Sequence, residues 1–243
     1  MPSVLKPAAN NILSRKAIAG IGAVVVFGVA VLTFWILSAK AGSASPSALL
    51  APTPPMGWNS YDSFGGAVNE TQVRANAEFV AKHLARYGWK YIVIDYYWYL
   101  PNPSPAEGKA SGADAVMDAY GRLLPVPSRF PSSAGGKGFK PLADYVHSLG
   151  LKFAIHIMRG IPRAAVEKNL PIFGTSSHAR DVVDFQNSCA WSNVMHGVNV
   201  SKPAGQAYYD SIARLYAGWG VDYIKADDMS RAQNPKGETY HGP

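Results

Sequence analysis

The sequence predicts an α/β fold, a (β/α)8 TIM barrel of which about the first four βα units are present, preceded by one transmembrane or signal segment. Strand-like runs of near-continuous apolar character alternate with amphipathic helical stretches, which suits a parallel sheet covered on both faces. The helix-to-strand turns (RYGWK, SLGLK, GWGVD) are short, while the strand-to-helix connections are long. That asymmetry suits a barrel that builds its site from the loops at the C-terminal strand ends. A doubly wound sheet would alternate as well, but no glycine-rich phosphate fingerprint follows the first strand.

Residues 1–16 read as a cytoplasmic leader ending in Arg15 and Lys16. Residues 17–39, AIAGIGAVVVFGVAVLTFWILSA, contain no charge. At roughly 1.5 Å per residue such a segment crosses a hydrocarbon core of about 30 Å. The basic pair keeps the N-terminus inside and sends the body across. The length of the run suits an uncleaved signal anchor, whereas Ala39-Lys40-Ala41 has the small-x-small form of a cleavage site. Either way the body is expected to be exported, anchored at the membrane through 17–39 or released. Residues 40–54 read as a linker, and residues 55–243 as the N-terminal half of the barrel.

Within that body, 56–61 (MGWNSY) is a short strand entering a polar loop. Positions 71–86 place Val73, Ala77, Val80, Ala81 and Leu84 on one helical face, with Gly88 closing the helix. Residues 90–99 read as the second strand. About forty residues rich in Pro, Gly and Ser follow, too many for a plain connection in a compact domain. A helix over 139–149 ends at Gly150, and 151–158 is the third strand. After a further long insertion, a helix over 205–217 ends at Gly218-Trp219-Gly220 and VDYIKADD forms the fourth strand.

With 48% hydrophobic and 16% charged residues, the chain suits a compact, loop-rich enzyme. Four charges of the net +7 come from Lys6, Arg15, Lys16 and Lys40, in a stretch without Asp or Glu. The remainder is scattered, with no basic stripe, so a nucleic-acid partner is not expected. Cys189 is the single cysteine, which excludes an intrachain disulfide framework and a cysteine-based zinc site. It reads as a buried small hydrophobe.

Each strand ends in a group capable of chemistry: Asp62 after the first, Asp95 in the second, His156 in the third, Lys225 and Asp227 in the fourth. Strand alternation sets Lys225 and Asp227 on one face and Asp228 elsewhere. A lysine held against Asp227 would keep that carboxylate ionised. Lined by Tyr61, Tyr96 and Trp98, it would be a natural nucleophile toward a sugar, whose apolar face stacks on aromatic rings. Each residue also has a structural reading. Asp62 suits a cap or turn, Lys225–Asp227 a structural ion pair, and His147 a packed helical position, while His156 fits a packed or a pocket residue. Spacing alone leaves a sugar or phosphate enzyme on a barrel. A Schiff-base lyase on Lys225 is disfavoured by the neighbouring carboxylate, which favours the ammonium. A metal enzyme using Asp227 and Asp228 is disfavoured because adjacent strand residues point to opposite faces. A non-catalytic, membrane-tethered carbohydrate-binding remnant stays open.

The segments TPPMGWNSYDSFG, KYIVIDYYW, RFP at 129–131, FKPLADYVHSLGLKFAIH and WGVDYIKADD resemble glycoside hydrolase family 27, the α-galactosidase (melibiase) group of clan D. The likeness runs over roughly residues 52–230. It implies a (β/α)8 barrel followed by an antiparallel β domain. It also implies retaining hydrolysis of terminal α-galactosyl residues through two aspartates, with no metal or organic cofactor. It makes Asp227 the nucleophile and Lys225 a ligand of substrate hydroxyls. Asp95 matches the first of two adjacent carboxylates that bind galactose hydroxyls. Tyr61 falls where the family usually has a sugar-stacking Trp, and His156 where it usually has a pocket Tyr. Trp58 and Tyr96 complete the implied carbohydrate-binding set. Two positions depart from the pattern: Tyr96 replaces the second carboxylate, and Met229 replaces the cysteine common after the nucleophile. The expected specificity is therefore α-galactosyl or a related one in the family, β-L-arabinopyranosidase or isomaltose-releasing dextranase.

A retaining glycosidase needs a second carboxyl group about 5–5.5 Å from the first. The resemblance places it about two strands beyond the nucleophile. The only carboxylate in the tail after Asp228 is Glu238, within GETYHGP, which lacks that context. The expectation is the N-terminal portion of a longer enzyme, inactive by itself.

Overall fold

The computed structural model describes residues 53–103, 114–189 and 192–229. The basic leader, the apolar segment 17–39, most of the linker and Glu238 lie outside the described residues. No helix among the described residues is long and apolar enough to cross a membrane.

In chain order the elements are β1 (Gly57–Asn59), the single turn α1 (Tyr61–Phe64), α2 (Glu70–Phe79), β2 (Tyr91–Ile94), α3 (Lys140–Ser148) and β3 (Lys152–Met158). They continue with β4 (Ile161–Pro162), α4 (Arg163–Glu167), α5 (Ala179–Val182), β5 (Val183–Asp184), β6 (Met195–Val198), α6 (Pro203–Gly218) and β7 (Tyr223–Asp227). The main sheet is parallel throughout, in the order β1-β2-β3-β7. Parallel neighbours in chain order, crossed over by α2, α3 and α6, form an α/β arrangement that fits one part of a βα barrel. The register aligns Asn59 with Val93, Val93 with Ala154 and Ala154 with Tyr223. At the C-terminal ends it aligns His156 with Lys225 and Met158 with Asp227.

The period of two sorts the strand residues. Ile92, Ile94, Phe153 and Ile155 are fully buried, and Phe153 meets Phe139 at the start of α3 with ring centroids 5.5 Å apart. The alternate residues, among them Tyr91, Val93, Ala154, His156, Tyr223, Lys225 and Asp227, share the opposite face. Helix α2 begins in a capping box in which Asn69 Oδ1 accepts from the Gln72 N–H and Gln72 Oε1 accepts from the Asn69 N–H, both at 3.0 Å. The helical path continues through a π turn over Val80–Leu84 and stops at Gly88, whose φ of 91° few other residues adopt.

Two expectations need correction. The second strand ends at Ile94 rather than at 99: the chain turns through Asp95–Tyr99, with Tyr97 at φ 65°, and buries Tyr97, Trp98 and Tyr99. The aromatic run that mimics a strand is in fact a core-filling turn. The insertion after β3 is not plain loop either. It holds a second, antiparallel sheet in the order β4-β6-β5. Strands of two to four residues are too short to give a periodic signal. Cys189 is 7% exposed and packs within the core, as its composition suggests.

Candidate active site

The C-terminal ends of the parallel strands gather Asn59, Asp95, His156, Lys225 and Asp227. Asp95, directly after β2, is 2% exposed. Its Oδ2 accepts from Asn59 Nδ2 and Lys225 Nζ, both at 2.7 Å, and its Oδ1 accepts from the Tyr96 N–H at 2.7 Å. The Asp95 N–H in turn donates to Ser60 Oγ at 2.9 Å. Burial pushes this carboxyl up, but His156, Lys225, the Tyr96 amide and Asn59 outweigh it and hold the pKa below the ordinary carboxylate value.

Asp227 closes β7 with its side chain 39% exposed, and its Oδ2 lies 3.0 Å from His156 Nε2. The hydrogen bond from His156 lowers its pKa against the opposing effect of burial; the charge of His156, the Asp228 amide and Lys225 add to the lowering. The carboxylate is thus ionised and open to a ligand. Lys225 was expected against Asp227, but its ammonium is bonded to Asp95. Residues two apart on a strand are separated by roughly 6.6 Å along it, whereas the long lysine stem reaches sideways over β3 to the buried carboxylate. The side chain beside Asp227 belongs to the neighbouring strand instead.

Tyr96 and Trp98 do not open onto this face. Tyr96 is 3% exposed, donates its hydroxyl to Ser192 Oγ at 2.7 Å, and sets its ring edge-on to His156 at 5.4 Å. Trp98 is fully buried, and its indole N–H donates to the His156 carbonyl at 2.8 Å. Both brace β3 from the core, because the turn at Tyr97 breaks the alternation that would have aimed them outward. Trp58 is half-buried on β1, edge-on to Phe64 at 6.2 Å. It lines a cavity of about 240 Å³ together with Asn59, Tyr91, Val93, Tyr223 and Lys225. Tyr61 is half-buried at the start of α1, where its N–H donates to Asn59 Oδ1 at 2.8 Å. Asp62 is exposed in the first turn of α1.

Asp228 leaves the strand at φ 57° and accepts from Arg159 Nη2 at 2.8 Å, so it does not converge with Asp227. Among the described residues no group of three or more His, Cys, Asp or Glu could hold a metal ion. His147 pairs with Asp222 at 2.7 Å at the opposite end of β7, a structural contact as expected.

Sequence reasoning missed Asn59, although strand parity from Gly57 places it on the polar face. It also missed Ser60, Ser192 and Arg159, whose partners are remote in sequence. Arg129 was noted only within RFP. Its guanidinium donates to the carbonyls of Gly66 (2.5 Å), Val68 (2.6 and 3.2 Å), Tyr97 (2.8 Å) and Leu100 (2.9 Å), tying the loops after β1 and β2 together.

No protein-family model matches the chain. Among curated proteins it is 32% identical over 192 residues to an α-galactosidase of Coffea arabica, covering 79% of this chain and 37% of that protein. It is also 32% identical over 180 residues to an α-galactosidase of Cyamopsis tetragonoloba, covering 74% and 31%. Among solved structures it is similar to the GH27 β-L-arabinopyranosidase of Geobacillus stearothermophilus, with 53% identity and a TM-score of 0.72 over 76% of this chain and 42% of that one. A variant of that enzyme, 52% identical to this chain and with the same TM-score, was solved in complex with arabinose. The chain spans about a third of the length of the curated relatives and 42% of the solved one. The body of the chain is thus glycoside hydrolase family 27-like, a partial homologue of the α-galactosidases.

Proposed function

We propose that this chain carries the nucleophile half of a retaining glycoside hydrolase acting on terminal α-galactosyl residues or sugars of the same ring configuration. The observation that carries this reading is Asp227: an ionised, accessible carboxylate at a C-terminal strand end, beside a polar cluster able to hold sugar hydroxyls. Asp227 attacks the anomeric carbon, the bond to the leaving oxygen breaks, and a covalent glycosyl ester forms. A second carboxyl group protonates the leaving oxygen and then takes a proton from the water that hydrolyses the ester. The family resemblance implies that this group lies on a later strand. Lys225, with one of its three donors on Asp95, has donors to spare for a hydroxyl. Asn59 and Asp95 fix its position, and Trp58 and Tyr61 offer ring surface. The enzyme acts outside the cytoplasm, led there by residues 17–39.

A β-L-arabinopyranoside is the second reading, the same ring without the exocyclic hydroxymethyl group. Tyr96 favours it. The resemblance places a hydroxyl-binding carboxylate there, whereas the Tyr96 hydroxyl is committed to Ser192. A sugar hydroxyl left without its partner in a closed site is penalised.

The test is hydrolysis of p-nitrophenyl α-D-galactopyranoside and β-L-arabinopyranoside by the full gene product and its Asp227→Asn variant. The expected result is turnover of at least one substrate, falling by about 10³-fold or more in D227N. Retention of a tenth of the activity in D227N removes Asp227 from the role. Sugar binding that survives D227N, with no turnover by either protein, favours a non-catalytic carbohydrate-binding protein.

A further inference from the structure

We infer that His156 is a positioning residue for the nucleophile, holding the Asp227 carboxylate by one oxygen, and not a contact for the sugar. The inference rests on the proposed role of Asp227. His156 is 0% exposed, so a ligand on the open face meets Asp227 and not the imidazole. The ring's Nε2 lies 3.0 Å from Asp227 Oδ2. Its other nitrogen, Nδ1, is buried with no hydrogen-bond partner among the described residues. An ionised carboxylate can only accept, so Nε2 is the donor in this contact. A side chain placed only to fill the core would not leave a buried nitrogen unsatisfied; an apolar residue fills the same space without that penalty.

The surroundings hold this ring still. The His156 carbonyl accepts the Trp98 indole N–H at 2.8 Å. The ring packs in a T-shaped contact with Tyr96, whose hydroxyl is anchored to Ser192, 96 residues away. The charged groups around the site are Asp227, Asp95 and Lys225, and Lys225 is itself tied to Asp95. The last residue of β7 therefore has its carboxylate orientation set from β3, just before the backbone leaves the strand at Asp228.

The test compares His156→Gln with His156→Asn in the full gene product, with His156→Phe as a third variant. The Gln amide nitrogen reaches the position of Nε2, whereas the Asn amide stops short of it, and both are polar. We expect H156F and H156N to lower kcat about 10- to 100-fold, the range for a hydrogen bond to a charged group, with KM changed less than about threefold. H156Q should recover to within about fivefold of the unmodified enzyme. Formation of the covalent adduct from a fluorinated glycosyl fluoride, followed by mass spectrometry, should slow in parallel with kcat. Equal activity of H156Q and H156N overturns the inference, as does a rise in KM at unchanged kcat, which marks a sugar contact. An unmodified protein that forms no adduct and hydrolyses neither substrate overturns the functional reading and this inference together. An active unmodified protein with indifferent His156 variants overturns the inference alone.

Discussion

Replacing Arg129 by Met should destabilise the fold by about 3 kcal/mol. The guanidinium makes five hydrogen bonds to four main-chain carbonyls, two in the loop after β1 and two in the turn after β2. The Tyr97 carbonyl keeps the Leu100 N–H, so three carbonyls are left without a partner at about 1–3 kcal/mol each, a gross loss of roughly 3–9 kcal/mol. Against this stands the relief of desolvation. Burial lowers the Arg129 pKa to about 10, a cost on the order of 3 kcal/mol that methionine does not bear. The difference centres on about 3 kcal/mol, large for a single substitution. Lysine keeps the charge but cannot span four acceptors in a plane, so R129K should recover less than half of the loss. Equilibrium urea unfolding of the full gene product, followed by tryptophan fluorescence, reads both variants, since Trp98 sits next to the Tyr97 carbonyl that Arg129 holds. A loss below about 1 kcal/mol in R129M, or wild-type stability in R129K, would refute the carbonyl-clamp account.

Lys225→Met leaves the buried Asp95 carboxylate with only Asn59 and the Tyr96 amide. It should cost about 1–2 kcal/mol at pH 7, discounted because the lysine is 42% exposed to water. Because the folded pKa of Asp95 is depressed, its ionised form adds stability above the unfolded-state value of about 3.9. That contribution is lost as pH falls through the lower folded value, so the K225M penalty should shrink in urea melts as pH drops below about 4. Trp98→Phe removes the hydrogen bond to the His156 carbonyl together with ring packing. It should cost about 2–3 kcal/mol and lower kcat in the same assay that reads the His156 variants. His147→Ala breaks a pair whose members are 37% and 30% exposed; a thermal melt should register less than about 1 kcal/mol and no change in turnover.

Much of the scaffold was legible in the residues because its signals are local. The KFAIHIM run reads directly as a buried strand, and α3 and α6 fall within two residues of their expected bounds. The KYIVIDYYWY run misled because aromatic residues satisfy a strand pattern and a buried turn equally well. What ends β2 is the left-handed Tyr97, its carbonyl held by an arginine 32 residues further on. The second sheet was illegible for a different reason, since its strands draw their register from one another and not from any periodicity of their own.

For the site, the sequence by itself determined the kinds of groups present, their alternation on each strand, and the ends at which they emerge. Asp227, Lys225, His156 and Asp95 could all be nominated from that alone. Only the tertiary structure decided which of them pair. Lys225 bonds to Asp95 from 130 residues away and His156 to Asp227 from 71, while the near neighbours Lys225 and Asp227 do not bond. Side chains two residues apart on one strand are held apart by the rise of the chain, and adjacent strands lie only about 4.8 Å from each other. Inter-strand register therefore set the partners, and through them the charge state of each carboxylate.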